Sequence, residues 1–416
     1  MTAATRTVLR GGQVFDGTGA DPAAADVVVE DGHIVDVGVG LDGDLAVDVS
    51  GQTILPGFFD CHVHVTSSGV DELNRLHTPF SYQFYAAARN LRATLATGVT
   101  TVRDLGGADA GIREAVADGT IAGPRLLVAV NLIGQTGGHS DGWLRSGYNA
   151  PHSVAHPGRP DGVADGPDEV RRVVRQMLRA GADWIKVCAT GGVLSPDSDP
   201  RRAQLSRDEL GVAVAEAAAA GTWVAAHAQG PEGIKNALLA GVRSIEHGIY
   251  LDDEAIALML DSGAWLVPTL VAPIAVIEAA EAGAGMAASV LDKAREVAAA
   301  HTDSFRRAVE AGVRIAMGTD SGVGPHGQNL RELGLMADGG MSPQAVLNAT
   351  TASAAELCGL GEVTGRIAPG LNADLVVVDG EPYQFTDLAG RISQIWQAGR
   401  RVDGTATADP TVGERQ

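Results

Sequence analysis

Cysteine, lysine and aromatic side chains are all scarce in this chain. Its 416 residues include 3 cysteines, Cys61, Cys188 and Cys358, with no C-x-x-C pair. That spacing excludes a disulfide framework and argues against a thiolate zinc site. Aromatic residues make up 4%, and no apolar run approaches the ~20 residues of a membrane span. The Arg6/Arg10 pair near the start is not followed by the apolar stretch of a secretory signal, so a cytoplasmic protein is expected. Positive charge is short as well: 31 Lys and Arg face 51 Asp and Glu, a net charge of −20. Nucleic acid and anionic membranes are recognised through basic patches, so neither is an expected partner. Lysine is the rarer base, present as Lys186, Lys235 and Lys293 only. What remains, 45% hydrophobic and 20% charged residues with 54 Gly and 18 Pro, is the composition of an ordinary globular protein. Disorder and collagen-like repeats are excluded, and the length suffices for a dry core.

Both ends of the chain read as strands. Thr7–Gly11, Asp26–Glu30, His33–Val37 and Leu45–Val49 are β-branched and separated by Asp31-Gly32 and Asp42-Gly43-Asp44. Ala373–Asp379, Gln394–Gly399 and Arg401-Val402 repeat the style. One small β-domain built from both termini is the simplest geometry. Between them, short apolar runs alternate with Ala-rich amphipathic patterns at 82–97, 168–180, 207–220, 231–240, 252–262, 281–311 and 342–357. Ser206 and Ser342 are fitting N-caps, the second followed by Pro343 at the first helical position. Gly57–His62, Thr100–Asp104, Arg125–Val130, Trp184–Ala189, Trp223–His227, Ser244–His247, Trp265–Thr269 and Arg314–Gly318 supply eight strands. Eight βα units fit a (β/α)8 TIM barrel, with an open doubly wound sheet as the alternative, since periodicity alone does not close a sheet.

In such a barrel the active site lies at the C-terminal ends of the strands. Those ends carry His62 and His64, then Lys186, His227, His247 and Asp320. The i, i+2 spacing of His62 and His64 puts both rings on one strand face, where they can chelate one cation. Lys186, flanked by Trp184, Ile185, Val187 and Cys188, points into a site or a dry core, where burial depresses an ammonium pKa; snorkelling to the rim is the other reading. Each of these residues alone is a weak signal. Together, four imidazoles, a carboxylate and a lysine suit zinc and related divalent ions without a thiolate.

The set His62-x-His64, Lys186, His227, His247 and Asp320 resembles the amidohydrolase superfamily in its binuclear-metal form. Thr53-Ile-Leu-Pro-Gly-Phe-Phe-Asp-Cys-His-Val-His resembles that family's entry to the first strand, and Gly365-Arg-Ile-Ala-Pro-Gly-Leu-Asn-Ala-Asp-Leu-Val-Val its return to a β-sandwich. Thr136–Asp141, Trp184–Gly192 and the His326-Gly-Gln-Asn-x-x-Glu332-Leu loop are similar to the Xaa-Pro dipeptidase and imidazolonepropionase-like group. The resemblance implies a (β/α)8 barrel over 57–368 and a composite β-sandwich of 1–56 and 369–416. It implies two divalent ions, zinc by preference: His62, His64 and Asp320 on one, His227 and His247 on the other, and Lys186 bridging them as a carbamate formed with CO2. Metal-activated hydroxide would then cleave an amide of a small substrate, an Xaa-Pro-type dipeptide or an N-acyl amino acid, with Asp320 relaying the proton to the leaving amine.

Substrate contacts are expected from His139, Gln229, Tyr148 and His326, His139 doubling as an oxyanion donor. His152 and His156 follow His139 in a Pro- and Gly-rich loop, so that segment also reads as histidine-rich surface, as do His33, His77 and His301 as surface or helix residues. Arg145, Tyr148, Arg201 and Arg202, on the long loops 131–167 and 192–205, could clamp a carboxylate or be solvated. A mononuclear deaminase or imidazolonepropionase-type lactam hydrolase is the alternative activity, and a non-enzymatic assembly protein a third. A homo-oligomer is expected from the same resemblance.

Overall fold

A computed structural model describes residues 5–402; residues 1–4 and 403–416, assigned above to the terminal β-domain, lie outside the described residues. Two sheets are formed by the chain ends. One runs His33–Gly38, Asp26–Glu30, Thr7–Arg10, Leu45–Asp48. The other runs Arg400–Arg401, Ile392–Gln397, Leu375–Asp379, Gln52–Pro56, Gln13–Val14, Ala23–Ala24. In the second sheet Gln52–Pro56 lies antiparallel to Leu375–Asp379, with Leu55 opposite Val376, so the two ends are stitched through one ladder. Period-2 alternation sends Leu9, Val27 and Ile34 of the first sheet and Ile54, Leu375, Val377 and Trp396 of the second into one shared core. Leu55, Val376 and Val378 face the other way and join the large core of the middle segment.

That middle segment alternates strands and helices, as the apolar runs require. Parallel pairing links Phe58–Val63 to Val99–Asp104 and that strand to Arg125–Val128. The third strand breaks at Val130, where φ is 68°, and resumes as Leu132–Ile133, which pairs with Ile185–Cys188. Pairing continues through Val224–Ala228, Ser244–His247, Trp265–Val267 and Arg314–Ile315. It then returns to its start: the amide of Cys61 donates to the Met317 carbonyl at 2.9 Å, that of Asp320 to His62 at 2.7 Å and that of His64 to Ser321 at 2.7 Å. The strands therefore form a hydrogen-bonded circuit. Phe59, Cys61, Trp184, Ala225 and Trp265 form a cluster inside it, and Phe58, Ile185, Val187, Val224 and Ala226 pack outward on the helices.

The helices begin where the caps predict. Ser206 and Glu209 form a reciprocal capping box on Arg207–Ala219, and Ser342 caps Pro343–Ala349. Two long patterns differ in the structure. The 281–311 pattern starts later, as Ala288–Ala311, and a further helix with no sequence expectation, Val271–Glu281, precedes it across Gly283 at φ 91°. The 342–357 pattern breaks at Thr350 and Thr351, whose hydroxyls bond the carbonyls of Phe59 and Leu347. No helix among the described residues is long and apolar enough to cross a membrane.

Candidate metal centre

Simple alternation would turn His62 away from the interior, because Phe59 and Cys61 already face it. The strand's register against its neighbour shifts between Asp60 and Val63, and this irregularity brings His62 and then His64 to the cavity. Lys186 and His227 need no such device: they follow Trp184 and Ala225 at two-residue spacing. His247 and Asp320 sit at the ends of their strands with φ of 73° and 59°. Left-handed backbone at non-glycine residues costs ~1–3 kcal/mol each and concentrates at functional sites. Behind Asp320, the buried Asp60 carboxylate holds the turn, accepting from Thr319 Oγ1 at 2.6 Å and Asn329 Nδ2 at 2.7 Å.

Every one of the four imidazoles is anchored through one ring nitrogen. His62 Nδ1 donates to Glu246 Oε2 at 2.9 Å, and His64 Nδ1 to the Gly106 carbonyl at 2.7 Å. His227 Nε2 donates to the Gly191 carbonyl at 3.0 Å, and His247 Nδ1 lies 2.7 Å from Thr269 Oγ1. Burial pushes the His62, His227 and His247 imidazoles well below their ordinary range, so they are neutral. His64 differs: against the desolvation of burial, Asp320 raises the pKa of its imidazole. The anchored nitrogens of His62 and His64 face groups that only accept, so in the neutral rings the Nε2 atoms carry the lone pairs. Both are directed at Asp320 Oδ1, 3.6 Å and 3.1 Å away. Positive charge belongs among these groups, either a proton on His64 Nε2 or a metal ion in its place. Against the desolvation that burial imposes, the positive charge that His62, His64 and Lys186 can carry holds the Asp320 carboxyl well below its usual range, a role a bound cation would take over.

Lys186 is 1% exposed and its Nζ has no hydrogen-bond partner. Burial lowers its pKa, offset in part by Glu246, Cys188 and Asp320. An orphan buried amine beside four imidazoles and a carboxylate is a donor set that fits divalent metal ions. The six residues named from the sequence converge on one cavity. The tightest trio is His62, His247 and Asp320, whose ligand atoms all lie within 4.8 Å of one another. It crosses the two groups expected above, since His247 joins His62 as well as His227; the ring centroids are 5.0 Å and 4.7 Å apart.

The cavity has a volume of about 330 Å³. His139 stacks on His227 at 4.2 Å between ring centroids, with Nδ1 2.5 Å from Ser195 Oγ. Its imidazole is held well below the ordinary range by burial and by His227, His152 and Lys186. Gln229 lines the wall with its carboxamide oxygen unpartnered. Tyr148 and His326 are not in that wall. Tyr148 is 76% exposed on its loop, and His326 bonds the Ser67 carbonyl at 3.1 Å and Thr94 Oγ1 at 3.4 Å, a structural tie. Arg145, Arg201 and Arg202 pair with Asp197, Glu296 and Asp199. His156 packs edge-on against Phe80 and Phe84, whereas His152 lines the cavity beside His139. His301, expected as a surface or helix residue, lies on the helix Ala288–Ala311 but is 2% exposed and donates to the His247 carbonyl at 2.9 Å.

Sequence reasoning missed Arg103, Glu246 and Ser195. Arg103 is fully buried inside the circuit, stacked 4.5 Å from the Trp184 ring centroid. It donates to both oxygens of Glu246 at 2.9 Å and 3.1 Å, and Glu246 in turn orients His62. The only signal in the sequence is a charged residue in each of two apolar strands.

Comparison with known proteins is consistent with this centre. The sequence profile of the amidohydrolase family matches residues 53–405. The chain is 33% identical over 420 residues to an ochratoxinase of Aspergillus niger, covering 96% of this chain and 87% of that one. It is 26% identical to an imidazolonepropionase of Streptomyces coelicolor, covering 91% and 92%. A crystal structure of a Xaa-Pro dipeptidase with bound methionine superposes with a TM-score of 0.88 at 33% identity, covering 96% and 100%.

Proposed function

The chain belongs to the amidohydrolase family, and on that premise we propose that it hydrolyses an amide bond of a small molecule with the help of two divalent metal ions. The proposed scaffold is a (β/α)8 barrel over 57–368, with a β-sandwich assembled from 1–56 and 369–416. The carrying observation is the acceptor-lined centre, with its anchored imidazoles and orphan Lys186 amine. His62, His64 and Asp320 would hold one ion and His227 and His247 the other, with Lys186, carboxylated by CO2, between them. Zinc-type cations there acidify water and polarise the scissile carbonyl.

The protein's own groups do the rest. Burial favours the neutral Lys186 amine, the form that adds CO2 and releases a proton. The Asp320 carboxylate takes the proton of the attacking water and passes it to the nitrogen that leaves. Ser195 Oγ has one proton and two acceptors in reach, His139 Nδ1 and the His139 carbonyl at 2.9 Å. When it donates to Nδ1, the ring carries its proton on Nε2 and supplies a hydrogen bond to the carbonyl oxygen as charge develops there. The names of the relatives, an ochratoxinase and a Xaa-Pro dipeptidase, support an amide or peptide substrate. A homo-oligomer acting on a small molecule, located in the cytoplasm, completes the proposal.

The His62–His247–Asp320 trio favours a second reading, a single-metal deaminase or lactam hydrolase of the imidazolonepropionase type. Metal titration separates the two: two ions per chain are expected, and one would favour the second. Lys186→Ala is expected to lose one ion and roughly a thousandfold in turnover. Full activity in that variant overturns the two-metal reading.

A further inference from the structure

The two sides of the cavity differ in chemistry. One side is the metal centre. The other is an aliphatic wall of Ile249, Val276, Met286, Val290, Val297 and Val323, bracketed by the helices Val271–Glu281 and Ala288–Ala311. These side chains form a single apolar cluster, yet they also face open cavity. The two arginines that line the cavity are already engaged. Arg75 donates to the carbonyls of Pro151 and Ala150, the second at 3.2 Å, and Arg145 pairs with Asp197 at 3.2 Å.

We infer that this wall is a binding lobe for a bulky uncharged hydrocarbon group, so that the substrate is an amide carrying an apolar substituent of about six carbons or more rather than a small polar dipeptide. The inference rests on the amide-hydrolase reading only in taking the occupant for a substrate. Ile249, Val276, Val290, Val297 and Val323 are themselves nearly covered, so the gain lies in hydrocarbon that leaves water to fill the cavity they line. Each methylene transferred multiplies affinity about three- to fourfold. Gln229 lines the same cavity with an unpartnered carboxamide oxygen, a hydrogen-bond acceptor left over for a donor on the ligand's polar end.

The test is calorimetric binding to the full chain of ketones that no hydrolase can cleave. One series is the 4-oxoalkanoic acids, counterparts of N-alkanoylglycines, from short to long chains. The other is the 2-alkyl-4-oxopentanoic acids, which lengthen the opposite end. Affinity is expected to rise about three- to fourfold per methylene in at least one series, with an increasingly negative heat-capacity change. Val276→Asp is expected to flatten that slope. Should it fail to fold, the near-isosteric Val290→Thr carries the same comparison. Flat affinity in both series, no measurable binding, or a slope untouched by the wall variants overturns the inference. Rising slopes without turnover of any amide would overturn the hydrolase reading and leave the lobe standing; turnover with flat slopes does the reverse.

Discussion

At the residue scale, the centre depends on groups that never touch a metal. Arg103 and Glu246 are both 0% exposed and neutralise one another inside the strand circuit. Removing one member of such a pair leaves an uncompensated buried charge, at a cost of ~3–5 kcal/mol. Arg103→Met is therefore expected to destabilise the fold by that amount in urea unfolding, and the Arg103→Met/Glu246→Gln double variant to recover much of it. Glu246→Gln keeps an acceptor for His62 Nδ1 but not the charge, and zinc affinity is expected to fall roughly 10–100-fold. Unchanged affinity would show that Glu246 does not set the orientation of His62. Gly192 acts through space: a methyl group there would overlap the His139 ring. Gly192→Ala is expected to lower kcat on the order of 100-fold with metal content intact, because the ring must move. The convergence of the six residues on one cavity was legible in the sequence because strand ends are a defined place in an alternating β/α chain. Arg103 and Glu246 were not, since whether a strand residue points inward depends on local register.

At the scale of elements, one helix secures the start of another. Glu332 accepts from the amides of Leu270 at 2.7 Å and Val271 at 2.8 Å, at the entry to Val271–Glu281. Burial outweighs those bonds and pushes its carboxyl up to about 8 from 4.5. The native state thus retains a proton that the unfolded chain releases. The associated stability is complete below pH 4.5, declines as pH rises and is lost above about 8. The stability difference between wild type and Glu332→Gln, followed by urea unfolding across that range, is expected to shift steadily in favour of the variant as pH rises. A constant difference would show that Glu332 does not titrate there. Asp60, raised by burial to about 6, adds a slope of the same sign, and since its charge also raises Glu332 the two carboxyls titrate as interacting groups. The cap explains why this helix is not legible in the sequence: Val271–Glu281 is β-branched at its start, and what fixes its first turn is a carboxylate some sixty positions away. Ser206 and Ser342, which cap from within their own segments, were legible for the opposite reason.

At the scale of the whole molecule, stability and metal are linked. The lone pairs of His62 and His64 and the Asp320 carboxylate are held together by the fold, and a bound ion that only the native state recognises adds to its stability. Chelation is expected to lower Tm by several degrees and zinc to restore it; a Tm indifferent to chelation would argue against a resident ion. The alternation of strand and helix in the middle and the β-rich ends were both legible, because hydrophobic periodicity is local. The return of the last strand to the first was not, because it rests on three amide contacts around residues 61–64 and 317–321 that no periodicity encodes. The ladder joining Leu55 to Val376 has a consequence for biogenesis. At about 5–20 residues per second, a ribosome needs roughly 15–60 s to make the intervening polypeptide. Throughout that interval the early strand is paired on one side only, with Gln13–Val14, and its other edge waits for Leu375–Asp379. A chain truncated ahead of Leu375 is therefore expected to keep that edge open.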